Sequence, residues 1–260
     1  EAERGQLLAE YQSKQCDIVT ATVVKTDPRR GNVTVEIGRS EAILPKSEQV
    51  PGEEYKDGER IKVYVSDVIN GEKGPKIMIS RIHPGLVKRL FEMNIPEVYD
   101  GTVEIKSISR EAGVRSKVAV TSRDENVDAV GACIGPRGAR VSAVVNELGG
   151  EKIDIIPWCQ DTLEFIARAL SPAKVSMVEA TEDEKVAKVV VDDNMLSLAI
   201  GKDGQNARLA ARLTGWKIDV KSYSAYMKSK MEEETQLTSE VTESDKPEES
   251  DGEEELGELD

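Results

Sequence analysis

A short glycine-bounded turn occurs twice in this chain, and the second occurrence brings its surroundings with it. Ile134-Gly135-Pro136-Arg137-Gly138 matches Ile200-Gly201-Lys202-Asp203-Gly204 at an offset of 66 residues. Downstream, Lys152-Ile153-Asp154 matches Lys217-Ile218-Asp219 at an offset of 65. A one-residue gap between a helix and a strand reconciles the two offsets. A period this long exceeds that of solenoid repeats, so the pattern predicts two copies of one small domain in tandem.

The flanking patterns give both copies the same order. In the first, helical spacing over Pro84 to Asn94 precedes alternating strands at Thr102 to Ser109 and Ser116 to Thr121. A short helix over Asp128 to Cys133, the glycine turn, a helix over Ala139 to Glu147 and a strand at Lys152 to Ile156 follow. The second copy has a helix over Thr162 to Leu170, strands at Lys174 to Ala180 and Val186 to Val191, and a short helix over Asn194 to Ala199. Its turn, a helix over Gln205 to Leu213 and a strand at Lys217 to Val220 complete it. Both units read α-β-β-α-α-β, over 84–158 and 159–225.

The chemistry resides in the turns. Glycines at both ends permit positive φ and let a ligand's backbone approach closely. The helix that each turn opens directs free N–H groups and the positive end of its dipole toward that space. Such a turn can hold a phosphodiester backbone. Arg137 and Lys202 place charge inside the turns, with Arg140 and Arg208 just beyond. A single Gly-x-x-Gly is weak, because it is often only a connection between helices. Two, each at the same place in a repeated α-β-β-α-α-β unit, specify the type II KH module, whose turn grips about four nucleotides of single-stranded RNA. Asp203 is anomalous in that setting, since its carboxylate opposes phosphate unless it points away or accepts a hydrogen bond from base or ribose.

Upstream the pattern changes. Ile18 to Val24, Asn32 to Ile37, Glu41 to Leu44, Arg60 to Asp67 and Lys76 to Ser80 are short, β-branched and alternating, with Gly and Pro turn signals between them. Five such strands predict a small closed OB-type barrel over 15–83. Residues 1–14 are helix-prone, and the charged start Glu1-Ala2-Glu3-Arg4 reads as the middle of something longer. The barrel is poor in base-stacking aromatics: Tyr55 and Tyr64 are its only tyrosines, and it has no Phe or Trp. Direct RNA contact by the barrel and a purely structural role stand level.

The net charge of -14 seems hostile to nucleic acid, but its distribution removes the objection. Residues 231–260 hold 14 acids and one base, Lys246, which leaves 35 acids against 34 bases elsewhere. The stretch 226–260 is therefore expected to be a disordered acidic tail, solubilising in its plainer reading and an RNA mimic in its sharper one. Cys16, Cys133 and Cys159 form no close pair, which argues against a zinc site and suits a reducing cytoplasm. No apolar run approaches a membrane span. His83, beside Pro84 at a domain boundary, reads as a linker residue rather than a general base. Trp158 and Trp216, at strand ends, read as packing residues. The pairs Asp124-Glu125 and Asp192-Asp193 are discounted as metal ligands. No cofactor and no metal is expected.

The stretches Gly131 to Val141 and Glu147 to Ile155 resemble the first KH domain of the NusA family of transcription termination/antitermination factors. Ala199 to Ala210, followed by Thr214-Gly215-Trp216, resembles that family's second KH domain. The barrel is similar to the family's S1-type OB domain and the opening helix to its inter-domain connector. The resemblance covers about residues 1 to 225. It implies a monomeric, non-enzymatic cytoplasmic factor on bacterial RNA polymerase that binds nascent single-stranded RNA. Such a factor promotes pausing and termination and joins other elongation and antitermination factors. It also implies that Gly135, Pro136, Arg137, Gly138 and Arg140 form the first RNA clamp, and Gly201, Lys202, Asp203, Gly204, Gln205, Asn206 and Arg208 the second. The resemblance also implies that the family's N-terminal polymerase-binding domain is expected to be missing from this chain, which opens like the connector. Two other expectations remain open: an RNA-binding appendage of a processing enzyme, although no catalytic carboxylate cluster, P-loop or His-based site is legible, and a ribosome-associated factor.

Overall fold

The computed structural model describes residues 2–72 and 74–244. Helix α1 (Ala2–Gln12) leads into strands β1 (Ile18–Thr26), β2 (Val33–Ile37), β3 (Ser40–Leu44), β4 (Arg60–Gly71) and β5 (Gly74–Ser80). They close a barrel in the order β1-β2-β3-β5-β4. Alternation along β2 sends Val33, Val35 and Ile37 inward to meet Ala21, Val23, Leu44, Val63 and Ile79 in one buried core. Closure is thinnest between β3 and β5, which pair in parallel only at Ile43 and Met78. Tyr11 of α1 is buried against the barrel and donates its hydroxyl proton to the Ile37 carbonyl at 2.7 Å. That bond fixes the helix to the β2–β3 turn.

The first α/β unit comprises α2 (Pro84–Asn94), α3 (Pro96–Tyr99), β6 (Val103–Glu111), β7 (Arg115–Ser122), α4 (Ala129–Ile134), α5 (Ala139–Glu147) and β8 (Lys152–Pro157). The second comprises α6 (Thr162–Ala169), β9 (Val175–Thr181), β10 (Val186–Val191), α7 (Leu196–Ile200), α8 (Gln205–Thr214) and β11 (Lys217–Ser222). Each forms a three-stranded sheet in which the middle strand pairs antiparallel with the strand before it and parallel with the last. The short α3, started by Pro96 after Ile95, is absent from the sequence expectation.

Strand alternation explains how the two units join. Val118 and Val120 of β7 face the core shared with α2, α4 and α5. Ala119 and Ile156 face the other way, into the core of the second unit, where they meet Ala210, Leu213 and Phe165. The first sheet is thus covered on one face by its own helices and on the other by α6 and α8 of its neighbour. Lys117, on that second face, is wholly buried; its Nζ donates to Asp154 Oδ2 at 3.0 Å and to the Ser171 carbonyl at 2.8 Å. A shared apolar core and these bonds join the two units into one body.

The barrel is fastened to the first unit by a buried arginine. Arg81 donates through Nη1 to the Lys62 carbonyl at 2.7 Å and pairs with Glu53 within the barrel domain, and its Nη2 reaches across to the Glu147 carbonyl of α5 at 3.4 Å, while Lys62 pairs with Glu147 at 2.9 Å. His83 caps α2: its Nδ1 accepts from the Gly85 amide at 2.9 Å and its ring stacks on Tyr64 at 4.4 Å. The linker reading of His83 agrees with that position.

One expectation is corrected. Disorder is expected from residue 226, but α9 (Tyr223–Ser244) is a 22-residue helix. Its first turn is tethered: the Ser224 amide donates to Asp193 Oδ1 at 3.0 Å and the Tyr226 hydroxyl to Glu179 at 2.7 Å. Good helix formers (Met, Lys, Glu) extend it from there. The rest of the expected tail, 245–260, lies outside the described residues. Among the described residues no helix is long and apolar enough to cross a membrane.

Candidate RNA interface

The two glycine turns have the same backbone. Gly135 and Gly201 have φ/ψ of 72/175 and 75/172, and Gly138 and Gly204 have 75/13 and 74/13. Between them Arg137 and Asp203 occupy the left-handed region at φ 54 and 53. In both turns the second glycine's amide donates to the first glycine's carbonyl, at 3.1 and 3.2 Å. This geometry accounts for Asp203: aspartate is among the few non-glycine residues that enter the left-handed region readily. Its side chain is exposed.

The glycines have different tasks. A Cβ on Gly135 would lie 2.5 Å from Arg140 Cγ, and one on Gly201 would lie 2.8 Å from the Asn206 amide nitrogen. The first glycine therefore makes room for a brace. Arg140 donates to the Ala132 carbonyl at 2.8 Å and to Glu97 at 2.7 Å. Asn206, at the equivalent place, donates through Nδ2 to the carbonyls of Leu170, Leu198 and Ala199 at 2.9, 3.4 and 3.0 Å. Both side chains tie down the end of the helix before the turn. The second glycines are open, with only Ser142 Oγ at 3.9 Å and Arg208 Nη1 at 4.0 Å near an added Cβ. They begin α5 and α8 with no side-chain cap among the described residues; the first amides, of Ala139 and Gln205, donate to the Pro136 and Lys202 carbonyls of the turns, and the positive end of each helix dipole faces the turn.

The sequence-derived residues thus separate. Pro136, Arg137, Lys202 and Asp203 are exposed on the turns. Neither Arg137 nor Lys202 has an ion-pair partner among the described residues. Asn206 is fully buried, which corrects its expected place at the ligand: it supports the turn from behind. Arg140 is bound to Glu97 and to a carbonyl and has the same supporting role. Gln205 and Arg208 face the first unit, where both donate to Glu111 at 2.7 Å. Glu111 is held below the usual carboxylate range by its bonds to Arg208 and Gln205.

Other residues join the surface without having been singled out. Ile134, Leu198 and Ile200, on the short helices that end at the turns, are 39%, 44% and 36% exposed. Apolar side chains in that place offer a platform for bases. Their signal in the sequence is an apolar residue on a helix too short to bury all of its apolar positions.

The remaining candidates are occupied elsewhere. Trp158 packs edge-on against Phe165 with Lys106 over its ring, and Trp216 is buried. In the barrel Tyr64 stacks on His83, and Tyr55 donates to Glu53 at 2.6 Å. Burial and that bond raise the Tyr55 hydroxyl's pKa well above its usual value. Neither tyrosine is free to stack on bases. Among the described residues no group of His, Cys, Asp and Glu could hold a metal.

Comparisons with known proteins agree with this architecture. Residues 14–80 match the S1 RNA binding domain, 81–158 the NusA-like first KH domain, and 162–228 the NusA-like second KH domain. The transcription termination/antitermination protein NusA of Halalkalibacterium halodurans is 57% identical over 224 residues, covering 86% of this chain and 58% of that protein. NusA of Thermus thermophilus is 51% identical over 218 residues, 84% of this chain and 56% of that protein. NusA of Rickettsia prowazekii is 39% identical over 236 residues, 90% of this chain and 46% of that protein. The chain thus spans at most about three fifths of the length of these relatives.

Proposed function

The chain belongs to the NusA family through its S1 domain and its two KH domains, and from that premise we propose that it binds nascent single-stranded RNA and modulates transcription termination and antitermination. The observation that carries this reading is the pair of matching turns in one KH body. Each has an open second glycine and, among the described residues, a helix start with no side-chain cap and one cation without an acidic partner. Gly135, Pro136, Arg137 and Gly138, with Gly201, Lys202, Asp203 and Gly204, are the gripping surfaces; Arg140 and Asn206 brace them. RNA polymerase and other elongation or antitermination factors are the protein partners, and the protein acts as a monomer in the cytoplasm. We place the functional units at 15–83, 84–158 and 159–225.

The mechanism follows from the charge inventory. Each turn supplies backbone N–H groups and one cation, Arg137 or Lys202, while the neighbouring arginines are partly neutralised by Glu97 and Glu111. Recognition therefore rests on backbone donors and apolar contact more than on bulk charge. Two to four phosphates neutralised at about -0.7 each give a slope of log affinity on log salt between about -1.4 and -2.8. Titration of an unstructured oligoribonucleotide by anisotropy at several salt concentrations measures this slope. A slope near -5 would contradict the clamp mechanism.

A further inference from the structure

We propose that Arg208 and Arg212, oriented by Glu111, form a third backbone contact at the seam between the KH domains: a site for one RNA phosphate next to the second clamp. The inference rests on the RNA-binding reading above and adds to it a site and a positioning residue.

Glu111 ends β6 of the first KH domain. Its Oε1 accepts from both Arg208 Nε and Arg212 Nη2 at 2.7 Å, and its Oε2 accepts from Gln205 Nε2 at 2.7 Å. Two guanidiniums thus converge on one carboxylate, with the Asp203 carboxylate the other acidic group acting on Arg208. The arginines stand four residues apart on α8, so they share one helix face. Arg208 also reaches the clamp, donating through Nη1 to the Asp203 carbonyl at 3.2 Å. A strand leaving the second turn meets Arg208 first and Arg212 next.

Holding the domains together does not require this cluster. The apolar contact of Ala119 and Ile156 with Ala210 and Leu213 already closes the interface, and Ser107 Oγ donates to the Leu213 carbonyl at 3.0 Å. One arginine would also suffice for a latch. The arginine side chains remain 50% and 48% exposed, whereas Glu111 is 20% exposed. Arg212 makes no second hydrogen bond among the described residues. A guanidinium is a rigid fork of five donors, so binding one edge to Glu111 fixes the direction of the rest. The ordering entropy is lost before the ligand arrives, which favours capture of an oxyanion. The depressed pKa of Glu111 keeps it ionised in this role.

The test is a double-mutant cycle read by RNA affinity and salt dependence, on an unstructured RNA long enough to span both clamps. Arg212→Gln is expected to weaken binding three- to tenfold, equally across sequences, and to make the salt slope shallower by about 0.7. Arg212→Lys restores the slope but not the full affinity. In a Glu111→Gln background the effect of Arg212→Gln shrinks, because the guanidinium is no longer aimed. Gly204→Asp is the control, expected to weaken binding at least tenfold. If Gly204→Asp binds like the wild type, the clamp reading itself fails. If Gly204→Asp loses binding while Arg212→Gln keeps wild-type affinity and slope, the seam site alone fails. If the Arg212 effect is the same with and without Glu111, the positioning role of Glu111 is wrong.

Discussion

The two glycines of each clamp are expected to differ sharply in their tolerance of alanine. Gly135, at φ 72 and ψ 175, lies in a region that essentially only glycine occupies, where another residue costs about 1–3 kcal/mol. An added Cβ would also lie 2.5 and 2.8 Å from Arg140 Cγ and Cδ. Relief requires Arg140 to swing away from Glu97 and the Ala132 carbonyl. Those partly exposed bonds contribute about 1 kcal/mol. Gly201 is worse placed, because the obstacle is the backbone nitrogen of Asn206, which cannot swing. Gly138 and Gly204 have φ of 75 and 74 in the ordinary left-handed region, where the cost is about 1–2 kcal/mol, and their Cβ space is open. We therefore expect Gly135→Ala and Gly201→Ala to destabilise by about 3 kcal/mol or more, and Gly138→Ala and Gly204→Ala by about half that. The gap of ~1.5 kcal/mol is about twelvefold in the folding equilibrium, at 1.4 kcal/mol per tenfold. Urea unfolding followed by tryptophan fluorescence measures it, since the only tryptophans, Trp158 and Trp216, belong to the KH pair. Equal destabilisation by the first and second glycine changes would refute the brace argument.

Three further outcomes are expected. Arg110 and Glu151 form a bidentate pair whose side chains are 1% and 0% exposed, with Gly113 and Ser116 completing the carboxylate's bonds. Glu151→Gln leaves a buried guanidinium without its counter-charge and should lower unfolding free energy by about 3–5 kcal/mol; a loss under 1 kcal/mol would show that the pair is dispensable. Burial pushes the Lys117 amine down to about 8 from 10.5, so between those values the folded state holds fewer protons than the unfolded state and stability from this group rises with pH. Denaturation of wild type and Lys117→Met from pH 7.5 to 10.5 should show the difference moving in favour of wild type by up to ~3 kcal/mol, whereas a flat or opposite trend would contradict the assignment. Asn206→Ala removes three bonds to helix-end carbonyls and should speed amide exchange in 201–206 while leaving 135–140 unchanged; equal exchange in both turns would remove the brace role.

Much of this molecule was legible from periodicity and the internal repeat. α5 spans the expected Ala139 to Glu147, and the five barrel strands fall where β-branched alternation put them. These features are local: alternation decides strand faces, and glycine pairs decide turns. What stayed hidden depends on partners remote in sequence. Asn206 follows a clamp glycine and looked like a ligand contact, but its amide is consumed by Leu170, 36 residues upstream. Arg208 and Arg212 acquire their meaning from Glu111, 97 and 101 residues away. The helical start of the acidic stretch was missed for the same reason. Composition alone gives Tyr226 no partner, whereas the fold brings Glu179 to its hydroxyl.

The account's central claim, that both turns hold RNA as one surface, is tested most directly by Gly138→Asp and Gly204→Asp, singly and together. Aspartate tolerates the left-handed backbone, and the space beside each glycine is open, so the fold is retained while a carboxylate enters the phosphate path. Anisotropy with an unstructured RNA that spans both clamps should show each single change weakening binding about tenfold or more and the double change abolishing it. Wild-type affinity in the folded double variant would contradict the claim.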